Sequence, residues 1–147
     1  NAIGRDDQVG IVRATWVGVG LATVAMVLIG IIFLVFTEQI VRVYTTDPGV
    51  IAVATTTLFV TAFLLAFDGA QGVFMAVLRS CGEVWTPVLM HGLSFWVIAV
   101  PLAAWLAFSQ QFGAPGLMGG MFAGVGIACL LLGLRFRWLT RRPIRRL

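Results

Sequence analysis

The chain has 147 residues, of which 60% are hydrophobic and only 11% charged, with a mean hydropathy of +1.01. A soluble domain carries about 25% charged residues, so an ordinary water-soluble globule is excluded and an all-α protein that crosses a bilayer several times is indicated. The net charge of +4 comes from arginine alone, and arginines beside apolar spans suit anionic headgroups rather than nucleic acid.

Residues 1–13 are polar, with Arg5, Asp6, Asp7 and Arg13, and read as a cytoplasmic loop. They lack the basic start, short apolar core and cleavage site of a signal peptide. The chain opens on Asn1, so the expectation is a C-terminal piece of a longer protein. Residues 14–37 carry no charge and form the first span, with Trp16, Phe33 and Phe36 toward its ends. Residues 38–49 form an external loop, with a short surface helix through Ile40, Val41 and Val43. Asp47 suits the N-cap of the next helix and Pro48 its first turn.

The second span, residues 50–78, is the centre of the chain. Between Asp47 and Asp68 lie twenty uncharged residues, enough to cross a bilayer. Asp68 lies inside the span. An acid at that depth costs about 2.5–3.5 kcal/mol on insertion scales, so it should face a protein interior or a wet cavity.

Residues 79–83 read as a cytoplasmic turn. From Val84 to Leu134 there are fifty-one residues without a charge. One helix of that length would run about 75 Å, over twice the hydrocarbon thickness, so the segment must fold back. The turn formers of SQQFGAPG mark the break. Residues 84–108 are then a third span, 109–115 an external loop and 116–134 a fourth span. Residues 135–147 form a basic cytoplasmic tail. Four spans place both termini on one side, with Arg5, Arg13, Arg79 and the tail arginines, and leave only Arg42 opposite. The positive-inside rule makes that side cytoplasmic.

Steps of 3, 7 and 11 residues return to about the same helix face. From Asp68 they reach Thr57, Thr61, Gln71, Met75 and Arg79. The functional reading is the wall of a water-filled cavity, with Asp68 as the ionisable group and Thr57, Thr61, Gln71 and Met75 lining it. The threonines and Gln71 serve equally as contacts between helices. Gly69, Gly72 and Ala76, and the G-x-x-x-G steps of Gly116, Gly120 and Gly124, indicate close helix approach. Pro101 should bend the third span. His91 is read first as a packed or interfacial residue and second as a proton relay. Cys81 and Cys129 have neither disulfide nor metal spacing. With no phosphate-binding glycine loop, metal-ligand cluster or nucleophile–base pair, an enzyme is not expected, nor any cofactor. Energy for transport would come from an ion gradient.

Asp68 and Gln71 in FDGAQGVFMAVLRSCG, then Leu78-Arg79, Gly82 and Pro87, followed by Phe95-Trp96 and Pro101 in FWVIAVP, are in the order and spacing of the multidrug and toxic compound extrusion (MATE) family. Gly113, Gly116 and Gly120, the opening NAIG and YTTDPGV extend the resemblance over essentially the whole chain. Ala76 and Ser80 depart from it, standing where many relatives have glycine. The resemblance implies helices nine to twelve of a twelve-helix transporter, in its C-terminal lobe. It implies exchange of Na⁺ or H⁺ for organic, often cationic, drug-like compounds across the bacterial cytoplasmic membrane. In NorM-like members an acid on the tenth helix takes part in cation binding, and Asp68 falls at that place. Its partner acid on the seventh helix, and the other missing N-terminal helices, would precede Asn1. The alternatives are a small four-helix channel or accessory subunit, and a lipid-type flippase of the same broader fold. A flippase cavity should be basic, whereas the internal charge here is acidic.

Overall fold

The computed structural model describes residues 8–141; Asn1–Asp7 and the tail from Arg142 lie outside the described residues. Among the described residues every regular element is helical. They are α1 (Gln8–Val35), α2 (Thr37–Tyr44), α3 (Pro48–Ser80), α4 (Trp85–Ser109) and α5 (Gly113–Thr140). All but α2 are long and apolar enough to cross a membrane, so the all-α, four-span architecture holds.

The connections have identifiable causes. Phe36 separates α1 from α2, whose Arg42 pairs with Glu38 one turn back. Asp47 caps α3, its Oδ1 accepting from the N–H of Gly49 (2.8 Å) and Val50 (3.3 Å), with Pro48 supplying a first residue whose missing N–H costs nothing there. At the other end of α3, Gly82 takes φ +88°. The N–H of Glu83 then reaches the carbonyl of Leu78 (3.0 Å), and that of Gly82 reaches Arg79 (3.1 Å). This is the Schellman closure, which favours glycine at the left-handed position.

α4 continues through Pro101 with π-helical turns on either side, Ser94–Ala99 and Trp105–Ser109. A proline removes one backbone bond and crowds the preceding turn; wider turns absorb both effects inside a continuing helix.

α3 is the hub: α1 packs along one flank and α5 along the other, while α4 lies mainly on α5. Where α1 meets α3, a Cβ at Gly30 would stand 2.9 Å from the Ala62 carbonyl oxygen, and one at Gly69 would stand 2.8 Å from Met26 Cγ. Gly116, Gly120 and Gly124 let α5 approach Leu106, Ala103 and Ala99 of α4 in the same way, the close contact that small residues allow in membranes. The apolar core sits toward the Arg79 end of the bundle, where Ile11, Phe74, Leu78, Leu132 and Phe136 are buried together. Trp16 meets the Phe74 ring edge-on at 5.9 Å. Glu83 in the α3–α4 turn holds Arg135 of α5 by two hydrogen bonds, one of 2.8 Å from Nε. The Arg135 guanidinium also lies 4.4 Å from the centre of the Trp138 ring.

Candidate functional site

A helix turns about 100° per residue, so the neighbours of Asp68 in sequence define where it points. Gly69 is pressed against Ala22 and Met26 of α1. Phe67 meets Phe122 of α5 edge-on at 5.5 Å. Asp68, between them, turns to neither helix. Its side chain is exposed and makes no hydrogen bond or ion pair among the described residues. None of the described helices covers it.

The other residues of the stripe separate. Thr57 and Thr61 are half-buried above Asp68 on the same face. Their hydroxyls donate to their own helix, Thr57 to the Val53 carbonyl (2.8 Å) and Thr61 to the Thr57 carbonyl (2.9 Å). The contacts between helices that these threonines could have made are replaced by bonds to the carbonyl four residues back. Thr57 also lines an open apolar groove of about 520 Å³ with Val50, Val53, Ala54, Leu58 and Ala114. Met75 packs on the core cluster.

Gln71 sits about 60° round the helix from Asp68, at three residues' remove. That rotation carries it into the bundle, where it is only 4% exposed. Its Nε2 is hydrogen-bonded to Nδ1 of His91 on α4, and its Oε1 is buried without a partner. His91 lies against the Phe95 ring, centroids 4.6 Å apart. The link between Gln71 and His91 is the polar contact that spacing along α3 alone does not disclose, because its partner is set by how α4 docks. Both residues are visible in the sequence as rare polar groups in apolar runs.

Beyond that pair, Ser94 is fully buried, with its hydroxyl donating to the Met90 carbonyl (2.8 Å), and begins the first π turn. Among the described residues no group of His, Cys, Asp and Glu side chains is placed to hold a metal ion. Cys81, at the end of α3, has its thiol pushed up from the ordinary cysteine range, first by burial and then by the nearby Glu83 carboxylate.

Long apolar helices, glycine-to-backbone packing and an uncovered acid within one span define a multi-pass membrane protein whose polar face is turned outward from these four helices. Residues 1–105 match the family model described as MatE, and the chain belongs to that family. It is 33% identical over 142 residues to the "Probable multidrug resistance protein NorM" of Xanthomonas campestris pv. campestris, covering 97% of this chain and 31% of that protein. The protein of the same description from Synechococcus sp. is 35% identical over 144 residues, covering 95% of this chain and 31% of its own length. That from Pseudomonas aeruginosa is 33% identical over 135 residues, covering 88% and 28%. The chain therefore spans about 31% of the length of the curated relatives it matches.

Proposed function

We propose that this chain is the C-terminal part, helices nine to twelve, of a secondary multidrug efflux antiporter rather than an enzyme. It exchanges Na⁺ or H⁺ for organic, often cationic, compounds. The observation that carries the reading is Asp68, an exposed carboxylate without a partner among the described residues, placed well inside a long apolar helix. A charge in that position is too costly to leave against acyl chains. In the assembled transporter it faces a wet cavity closed by the remaining helices. Thr57, Thr61 and the edge of Met75 lie along the same wall, and Gln71 stands behind it. A coupling cation or proton neutralises Asp68, and a cationic substrate competes for the same field. With the Arg79 end and both termini on the cytoplasmic side of a bacterial inner membrane, release of the coupling ion there resets the acid.

The relatives' names, multidrug resistance proteins, support this reading. So does the lack of a basic residue on the membrane-embedded part of the Asp68 face, which an anionic headgroup would need. The test is Asp68→Asn in the full-length protein, reconstituted with an imposed Na⁺ or proton gradient. Gradient-driven efflux of a cationic dye should fall to background while the variant still folds. Unchanged efflux would remove Asp68 from the coupling site.

A further inference from the structure

The role given to Asp68 leaves the charges at the Arg79 end of the bundle unused. Glu83 is the one acid at that end among the described residues, and Arg135 engages it. Arg137 and Arg141 are exposed and are in no ion pair among the described residues. They stand four residues apart on α5, so they share a face, about 40° and about 6 Å from one another. Like charges at that spacing repel and destabilise a helix; an anion between them turns the repulsion into attraction. The opposite side of the same turns is held in place. Phe136 is buried in the core, Arg135 is tied to Glu83, and the Gln8 side chain donates to the Thr140 carbonyl. α5 therefore presents Arg137 and Arg141 in one direction, away from the core. Leu130, Leu134, Arg137 and Arg141 are spaced by three and four residues, which puts them on one stripe. The two leucines are 67% and 62% exposed, so the stripe runs from an open apolar surface into the paired cations. Trp138, at the edge of the stripe, marks the depth at which aromatic belts meet the headgroups.

We propose that this stripe of α5 is a binding site for one anionic phospholipid. An acyl chain lies along Leu130 and Leu134, and the phosphate sits between the Arg137 and Arg141 guanidinium groups. Arginine suits that place because its planar fork of N–H donors matches phosphate oxygens in pairs. The depth agrees. Arg137 starts about 4.5 Å, and Arg141 about 10.5 Å, beyond Leu134 along the helix axis. Side chains on a helix lean toward its N-terminus, so both arginines lean back toward the bilayer rather than out into water. Free phosphate would meet the two cations but leave the leucines bare. A zwitterionic lipid would cover the leucines but bring its own cation to the arginines. Only an anionic lipid answers both halves of the stripe. This site stands whether or not Asp68 carries the coupling ion.

The experiment titrates full-length protein in detergent with phosphatidylglycerol and counts the lipids retained by native mass spectrometry. An arginine at the headgroup level changes affinity for an anionic lipid about fivefold. Arg137→Gln/Arg141→Gln should therefore weaken one phosphatidylglycerol site about 25-fold, and one fewer lipid is retained at concentrations that fill the site in the wild type. Arg137→Lys/Arg141→Lys keeps the charge and should hold most of that affinity. Arg42→Gln, whose cation is already engaged by Glu38 at the other end of the bundle, should bind as the wild type does. Phosphatidylcholine should show no loss in the double glutamine variant, and inorganic phosphate should not displace the lipid from the wild type. An unchanged lipid count in Arg137→Gln/Arg141→Gln overturns the proposal. So does displacement by inorganic phosphate, which would mean that the anion alone is held. A loss seen in Arg145→Gln/Arg146→Gln and not in the double variant would place the lipid on the tail and overturn it equally. Should the double variant fail to fold, the single variants decide: each should lose about fivefold, and no loss in either overturns the site.

Discussion

Gly120 of α5 meets Ala103 of α4 backbone against backbone: a Cβ at position 120 would stand 2.3 Å from both the Cα and the N of Ala103. No side chain there can rotate away, so relief requires the two helices to move apart. Gly116 and Gly124, one turn to either side, are also close: their Cβ positions would stand 2.9 Å from the Leu106 carbonyl carbon and 2.4 Å from Ala99 Cβ. Lateral shift at one point is therefore resisted at the other two. Gly120→Ala should destabilise the bundle by about 1–3 kcal/mol, the usual range for overpacking. Gly126 on the same helix has nothing within 4 Å of its would-be Cβ, and Gly126→Ala should match the wild type. Thermal loss of monodisperse full-length protein in detergent compares them directly.

Glu83 and Arg135 tie the α3–α4 turn to the end of α5, with side chains 16% and 25% exposed. The bond is bidentate and partly shielded, so it is worth more than an ordinary surface pair. Glu83→Gln should cost about 1.5–3 kcal/mol, the range for a hydrogen bond to a charged group. The exposed Glu38–Arg42 pair of α2 is the internal control: Glu38→Gln should change stability by under about 0.5 kcal/mol.

Four spans were legible in the sequence because residues 14–37 and the twenty between Asp47 and Asp68 are free of charge and long enough to cross, and a charge-free run of fifty-one residues must fold back to fit a bilayer. Their helical ends were less so. α5 runs on through Arg135 and Arg137 to Thr140, and α1 begins at Gln8. Hydropathy marks where lipid begins, whereas hydrogen bonding decides where a helix stops. The glycine ladder announced a close contact without naming Ala99 and Ala103 as its partners. Steps of 3, 7 and 11 along α3 placed Gln71 beside Asp68, but a residual rotation of about 60° separates a buried amide from an exposed acid. The π turns around Pro101 have no signature beyond the proline itself.

A face that lines a wet cavity and a face that meets lipid look alike on this chain, since both are exposed. Asp68 and Phe63 are such a pair, about 140° apart round α3, and Phe63 is 50% exposed. In full-length protein with Cys81 and Cys129 replaced by serine, Asp68→Cys should react with a small water-soluble thiosulfonate. Phe63→Cys should not, because thiolate does not form in hydrocarbon. Equal inertness at both positions would put Asp68 against lipid and end its role as the coupling acid.

Cys81 gives the pH dependence its clearest handle, because it lies beyond the end of α3 in the turn to α4. Burial, and secondly the Glu83 carboxylate, favour its neutral thiol and raise its pKa. Only the thiolate is nucleophilic. A raised pKa means less thiolate at any pH below it, so alkylation by a maleimide near neutral pH should be slower than for a free thiol. The rate should climb with pH past the ordinary cysteine range. Glu83→Gln removes the second of the two causes. The pKa then falls, and the rate at fixed neutral pH should rise severalfold. Burial remains, so the rate should still stay below that of a fully exposed cysteine. The measurement is the pH–rate profile of Cys81 labelling in a Cys129→Ser background; a profile unmoved by Glu83→Gln would leave burial as the sole cause.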